Sequence, residues 1–223
     1  MLLVLENEVD RDKRYFVPEI VRYLPEHRVH DVAHGDVPDV EDVVGDGAED
    51  SDVDGVILSG STAGVYESPD YPWMDELRAL VRDLVAHDVP TLGVCFGHQL
   101  VNDALGGSVE HRGLTADLVD VEMADDPLFA GVSSRIPMVH GDHVTALGDG
   151  METIAAADYY PYLASRHEDA PLWTVQYHPE FTDRLLPNIA ADFGWEGSED
   201  FSAVSVERTF ANFAQLASEH SGV

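Results

Sequence analysis

Thr91-Leu92-Gly93-Val94-Cys95-Phe96-Gly97-His98-Gln99-Leu100 decides how this chain is read. Entered from Asp88-Val89-Pro90, its first residues form a short apolar run with a β-branched valine, which predicts a buried strand. The Gly-His-Gln-Leu-Val segment after it predicts a helix start. Cys95, the single cysteine in 223 residues, then occupies the turn between them. Gly93 and Gly97 stand two residues to either side, the spacing of a nucleophile elbow, where any side chain larger than hydrogen would crowd the bend. A thiol so placed lies at a helix N-terminus, where unpaired N–H groups and the helix dipole favour the thiolate that attacks carbonyl carbon. The N–H of Phe96 is placed to bind a developing oxyanion. A free cysteine is more often a small buried hydrophobe; the glycine spacing and the strand-turn-helix context set this one apart.

Working outward, Leu2 to Leu5 reads as an opening buried strand. Val17, Ile20, Val21 and Leu24 follow at helical spacing, with Pro18 tolerable only in a first turn. Arg28 to Val32 predicts a second strand, and Gly35 to Asp54 an acidic surface loop or short helix broken by Gly45 and Gly47. Val56-Ile57-Leu58 predicts a third strand running into Ser59-Gly60-Ser61-Thr62. Trp73, Leu77, Leu80, Val81 and Leu84 then share one helical face. This β-α alternation argues for a parallel, doubly wound sheet.

Beyond Gly106-Gly107 the pattern changes. Ser108 to Met123 alternates polar and apolar, which predicts an antiparallel extension. Further strands are expected at Ile136 to Val139, Thr153 to Ala157, Tyr162 to Ser165 and Leu172 to Gln176. Val206, Phe210, Phe213 and Leu216 mark a closing helix. Trp73, Phe129 and Trp173 read as core.

With 44% apolar residues and no interdomain linker, the chain is expected to form one domain over residues 1–223. The charge of −31, from 43 acidic against 12 basic residues, excludes nucleic acid as a partner and suggests a halophile-like surface of solvated carboxylates. No apolar run approaches the ~18 residues of a membrane span, and the acidic N-terminus does not read as a signal peptide. A cytoplasmic protein with no membrane partner is the expectation, and a lone cysteine requires no oxidising compartment.

A cysteine nucleophile needs a base, and the base needs an orienting acceptor. Leu172 to Gln176 supplies a strand that ends in Tyr177-His178-Pro179-Glu180. In an extended His-Pro-Glu, His178 and Glu180 face the same side, so Glu180 can hold the imidazole while its other nitrogen faces Cys95. The order nucleophile, histidine, acid disfavours an α/β-hydrolase, whose acid precedes its histidine. His140, Asp142 and His143 are the only other cluster suggesting chemistry. Two of them are near neighbours in an expected loop and no fourth ligand is evident, so a substrate-side or partner-facing loop is preferred over a metal site. No phosphate loop or dinucleotide fingerprint is present, and no cofactor is expected.

Gly93-Val94-Cys95-Phe96-Gly97-His98-Gln99, together with Val175-Gln176-Tyr177-His178-Pro179-Glu180, resembles the class I glutamine amidotransferases, from about Val56 to Phe213. That resemblance implies a flavodoxin-like α/β/α fold and a Cys95-His178-Glu180 triad. Leu58-Ser59-Gly60-Ser61 is similar to the family's oxyanion loop, with Ser61 and Thr62 replacing a second glycine and a proline, so the oxyanion donors are Phe96 and either Gly60 or Ser61. Val65-Tyr66 and Val139-His140-Gly141-Asp142 look like segments of the GMP synthetase amidotransferase unit, whereas Glu6-Asn7-Glu8 departs from that subgroup's small polar turn. Gln99 matches the family position that touches the substrate amino acid. The implied reaction is glutamine hydrolysis through a γ-glutamyl thioester, with ammonia passed to a synthetase partner. A partner-independent γ-glutamyl hydrolase using the same triad and a non-catalytic binding protein are the alternatives.

Overall fold

The computed structural model describes residues 1–45, 52–196 and 201–221. The first half contains β1 (Leu2–Glu6), α1 (Phe16–Ile20), β2 (His27–Asp31), α2 (Val40–Val44), β3 (Gly55–Leu58), α3 (Trp73–Ala86), β4 (Thr91–Val94) and α4 (Phe96–Ala104). The second contains β5 (Ser108–Asp120), β6 (Glu122–Met123), β7 (Arg135–Ala146), β8 (Met151–Ala157), β9 (Tyr160–His167), β10 (Leu172–Val175), α5 (Leu186–Phe193) and α6 (Arg208–Ser221). Of the acidic stretch from Gly35 to Asp54, α2 accounts for one part, and residues 46–51 lie outside the described residues. No helix among the described residues is long and apolar enough to cross a membrane.

Eight strands form one sheet in the order β2-β1-β3-β4-β10-β9-β8-β6. The five from β2 to β10 are mutually parallel and the last three are added antiparallel. The parallel part has the flavodoxin-like order, whose topological switch point lies at the carboxyl ends of β1 and β3. Its four inner strands are almost wholly buried and mostly apolar because both faces are covered, whereas the edge strand β2, His27–Asp31, is polar and largely exposed. Leu2, Val4, Ile57, Leu92 and Val94 join the core on one face, with Phe210 and Phe213 of α6. Leu3, Leu5, Val56 and Leu58 join the core on the other, with Leu77, Val81, Phe96 and Leu100 of α3 and α4.

Two features depart from the sequence reading. The residues from Ser108 do not all extend the main sheet: β5 pairs with β7 in a separate two-stranded ribbon, and only Glu122–Met123 returns to the sheet as β6. Strand β7 accordingly runs on to Ala146, well past Val139, because its second half pairs with the start of β5 across an irregularity between His111 and Thr115. Helix α5 is additional. It carries Pro187 in its first turn and stops at Gly194, which adopts φ 67°.

Candidate active site

Strand register brings the candidate residues together. Leu58 pairs with Gly93 and Val94 with Val175, so the chain segments leaving β3, β4 and β10 emerge side by side at one edge of the sheet. The Cys95 N–H donates to the Val175 carbonyl at 2.9 Å, extending the ladder one residue past the strand. Cys95 then turns sharply, with φ 52° and ψ −104°, and becomes the N-cap of α4. For a residue with a Cβ this conformation costs about 1–3 kcal/mol and persists only where its surroundings enforce it. The flanking glycines are part of that enforcement. A Cβ on Gly93 would lie 2.6 Å from the Gly97 carbonyl oxygen, and one on Gly97 would collide with the Leu58 carbonyl. Strand, turn and helix therefore pack backbone against backbone, as the glycine spacing predicts.

His178 follows β10 and is only 4% exposed, its ring stacked on Phe16 at 4.7 Å between ring centroids. Its Nδ1 donates to Glu180 Oε1 at 2.8 Å, and the ring lies close enough to Cys95 for the two side chains to interact electrostatically. Burial alone would disfavour the imidazolium. The charges of Cys95 and Glu180, with the hydrogen bond to Glu180, outweigh it and hold His178 well above the ordinary imidazole range. Glu180 is fully buried, and its Oε2 has no hydrogen-bond partner among the described residues, so the carboxylate depends on its neighbour's positive charge.

Gly60 lies directly over this pair: a Cβ there would stand 3.1 Å from His178 Cε1 and 3.6 Å from Cys95 Cβ. Gly60 and Ser61 line a cavity of about 390 Å³ that also holds Cys95, Gln99 and His178. Phe96 opens α4, so its N–H has no intrahelical acceptor; its side chain is core, against Trp73. Gln99 is buried and borders the cavity, its Nε2 donating to the Asp142 carbonyl at 3.3 Å and to Gln176 Oε1 at 3.2 Å.

The departures from the family's loop sequences are coupled to one another. Asn7 donates from its backbone N–H to Ser59 Oγ and from Nδ2 to the Ser59 carbonyl, both at 3.0 Å. Glu8 accepts from the Thr62 N–H at 2.9 Å and from its hydroxyl at 2.6 Å. The unusual Asn7-Glu8 segment thus clamps the loop in which Ser61 and Thr62 stand for glycine and proline. Burial raises the Glu8 carboxyl above its usual range, against the hydrogen bonds from Thr62 and Asp10.

His140, Asp142 and His143 sit on strand β7 rather than in a loop. The rings of His140 and His143 pack against each other, 4.9 Å between centroids. His140 lines the cavity, with its ring bonded to the Asp142 carbonyl at 3.1 Å and the Tyr159 hydroxyl at 2.8 Å, and burial lowers its pKa to about 4. His143 lies against Tyr160, 4.4 Å between ring centroids. Among the described residues no group of three or more His, Cys, Asp or Glu could hold a metal ion. Sequence reasoning missed Phe16, Glu8 and Tyr160, and assigned Gln176 no role although the residue lies inside the motif that carries His178. Only its position two residues before His178 hinted at one.

Residues 16–196 match the family model described as glutamine amidotransferase class-I. The chain is 37% identical over 136 residues to a subunit of the glutamine-hydrolysing GMP synthase of Halobacterium salinarum, covering 59% of this chain and 68% of that one. It is 37% identical over 148 residues to the GMP synthase of Yarrowia lipolytica, covering 62% of this chain but spanning only 27% of that protein's length. A solved glutamine amidotransferase from Thermotoga maritima superposes over 99% of this chain and 97% of that one, with a TM-score of 0.68 at 19% identity.

Proposed function

The chain belongs to the class-I glutamine amidotransferases, and from that premise we propose that it hydrolyses the side-chain amide of glutamine with Cys95, His178 and Glu180 and passes ammonia to a synthetase that makes GMP. The observation that carries this reading is the convergence, past three adjacent strand ends, of a strained cysteine, an imidazole beside it that is hydrogen-bonded to a buried carboxylate, and a glycine at which a side chain would crowd that imidazole. The relatives named as GMP synthases support the acceptor.

In this mechanism the Cys95 thiolate attacks the amide carbon while backbone N–H groups of Phe96 and the Gly60-Ser61 turn receive the oxyanion. His178, kept protonated by Glu180 and the thiolate, gives its proton to the departing ammonia. Water, deprotonated by the same ring, then cleaves the thioester. Gln99 orients the substrate: its N–H groups are committed to Asp142 and Gln176, so its oxygen is the end that accepts from a ligand.

Cys95→Ala tests the assignment. Glutamate release from glutamine should vanish while the melting temperature stays near that of the wild type, since alanine meets the same backbone strain. Retained turnover would overturn the mechanism. Ammonia transfer is tested by adding a GMP-forming ATP pyrophosphatase with its nucleotide substrates, which should raise glutaminase activity. Vigorous partner-free cleavage of γ-glutamyl amines, with no response to the synthetase, would instead make the chain a γ-glutamyl hydrolase.

A further inference from the structure

The amide of Gln176 reaches the sulfur of Cys95. Its Nε2 donates to Cys95 Sγ at 3.6 Å, a normal separation for a sulfur acceptor. Which end of a glutamine amide faces which neighbour is settled by the hydrogen bonds around it, and here the orientation is anchored on a group that can only accept. The Asp142 carbonyl receives one N–H of Gln99, so the Gln99 nitrogen lies on the inner side and its second N–H meets Gln176 at 3.2 Å. The atom of Gln176 that receives it must be the oxygen. The Tyr160 hydroxyl agrees: it accepts the Val144 N–H at 2.8 Å and lies 3.3 Å from the same Gln176 oxygen, toward which its own proton is directed. With two donors fixing the oxygen, only the NH2 end of Gln176 can face sulfur.

We propose that Gln176 is a thiolate-holding donor: its amide, aimed by Gln99 and Tyr160, hydrogen-bonds Cys95 Sγ and stabilises the sulfur in its anionic form, both before attack and as the thioester's leaving group. The inference rests on Cys95 being the nucleophile. It gives the sulfur a hydrogen-bond donor besides the neighbouring imidazole of His178, from a residue that is itself fully buried. The surrounding network is matched to the task. Gln176, Gln99, Tyr160 and His98 are all buried, and His98 Nε2 lies 3.0 Å from the Tyr160 oxygen. Burial lowers the His98 pKa to about 3, so the ring remains neutral and sends no competing charge toward the sulfur. An amide cannot lose its proton in the working range, so this donor is present at every pH where the enzyme is folded.

The titratable groups facing Cys95 are His178 and Glu180 after β10, Tyr160 on β9, His140 on β7 and, through Tyr160, His98 on α4. None is altered by substitutions at Gln176, so a change in the thiol's titration there reports the amide itself. The test is the rate of iodoacetamide alkylation against pH for the full chain, in which Cys95 is the only thiol. Gln176→Met keeps an unbranched side chain without donors, and the apparent thiol pKa should rise by about one unit with the high-pH plateau retained within roughly twofold. Gln176→Glu places a carboxylate against the sulfur and should raise it further. Tyr160→Phe, which frees one of the two aiming contacts, should give a smaller shift of the same sign and serves if the Gln176 variants fail to fold. Superimposable profiles for wild type, Gln176→Met and Tyr160→Phe would overturn the proposal, as would a lower thiol pKa in Gln176→Glu. Alkylation needs no glutamine. Variants that shift as expected, beside a wild type that releases no glutamate from glutamine, would refute the substrate reading and leave the role of Gln176 standing.

Discussion

Gly60→Ala is the substitution that separates the geometry of the site from the stability of the fold. The new methyl group would meet His178 Cε1 at 3.1 Å, a few tenths of an ångström inside ordinary contact, and Cys95 Cβ at 3.6 Å, which is ordinary. The imidazole is the group that has to yield, and it has little room. Phe16 stacks on it at 4.7 Å, and the 2.8 Å bond to Glu180 holds its Nδ1. A misplacement of 1 Å costs on the order of 100-fold in rate, so a displacement of a few tenths should lower kcat for glutamine by roughly 3- to 6-fold with KM changed less. Stability should barely move. Replacing glycine gains about 0.4–1 kcal/mol through the unfolded chain, which offsets about 1 kcal/mol of overpacking from a single methyl. Kinetics of glutamate release and a thermal melt on the same preparation measure both sides, with Ser61→Ala as a control that leaves every backbone N–H in place. Wild-type kcat in Gly60→Ala would refute the claim that this glycine is required by its closeness to the triad. A loss of activity that only tracks a collapsed melting temperature would refute it equally.

Three further outcomes follow from the buried ionisable groups and the surface charge. His98 and His140, held neutral by burial with pKa values near 3 and 4, should show no imidazole titration by NMR between pH 7 and 5. Because the unfolded chain binds those protons below about pH 6.5, their contribution to stability is complete above that pH and is lost as pH falls; a ring titrating near 6.5 would contradict the packing described. Glu8 has the opposite sign. Its raised pKa means the folded state holds the proton more tightly, so stability declines as pH rises from 4.5 through the folded value. Subtracting the urea stability curve of Glu8→Gln from that of the wild type should isolate this slope, and a flat difference would show that Glu8 is not desolvated. Finally, a chain with net charge −31 should melt at progressively higher temperature from dilute buffer to molar KCl as repulsion is screened. A melting point highest in dilute buffer would argue against a halophile-type surface.

The parallel half of the fold was legible because burial on both faces leaves a plain signature: Leu2 to Leu5, Val56 to Leu58 and Thr91 to Val94 are short apolar runs separated by helical periodicity or turns. The elbow was legible for a different reason, since glycines at 93 and 97 are required by backbone contacts that no side chain can share. The pairing of β5 with β7 was not. A half-exposed strand advertises that it alternates but not with which partner, and the irregularity between His111 and Thr115 breaks the alternation where it would have guided the register. Helix α5 escaped because eight residues with one fully buried side chain, Ile189, carry little periodic signal. In the site, His178 and Glu180 could be read as a local pair, whereas Phe16 and Tyr160 owe their roles to tertiary contacts that leave no mark on the residues around them.

The backbone at Cys95 carries one more implication. A residue with a side chain held at φ 52° and ψ −104° is a spring kept wound by the glycines and strands around it, and glycine in its place would let the spring run down without altering its shape. The least costly occupant of the position, judged by folding alone, is therefore the one residue type with no atom to react. Sulfur persists there only while chemistry demands it, and a lineage released from that demand would drift toward a sturdier protein that does nothing.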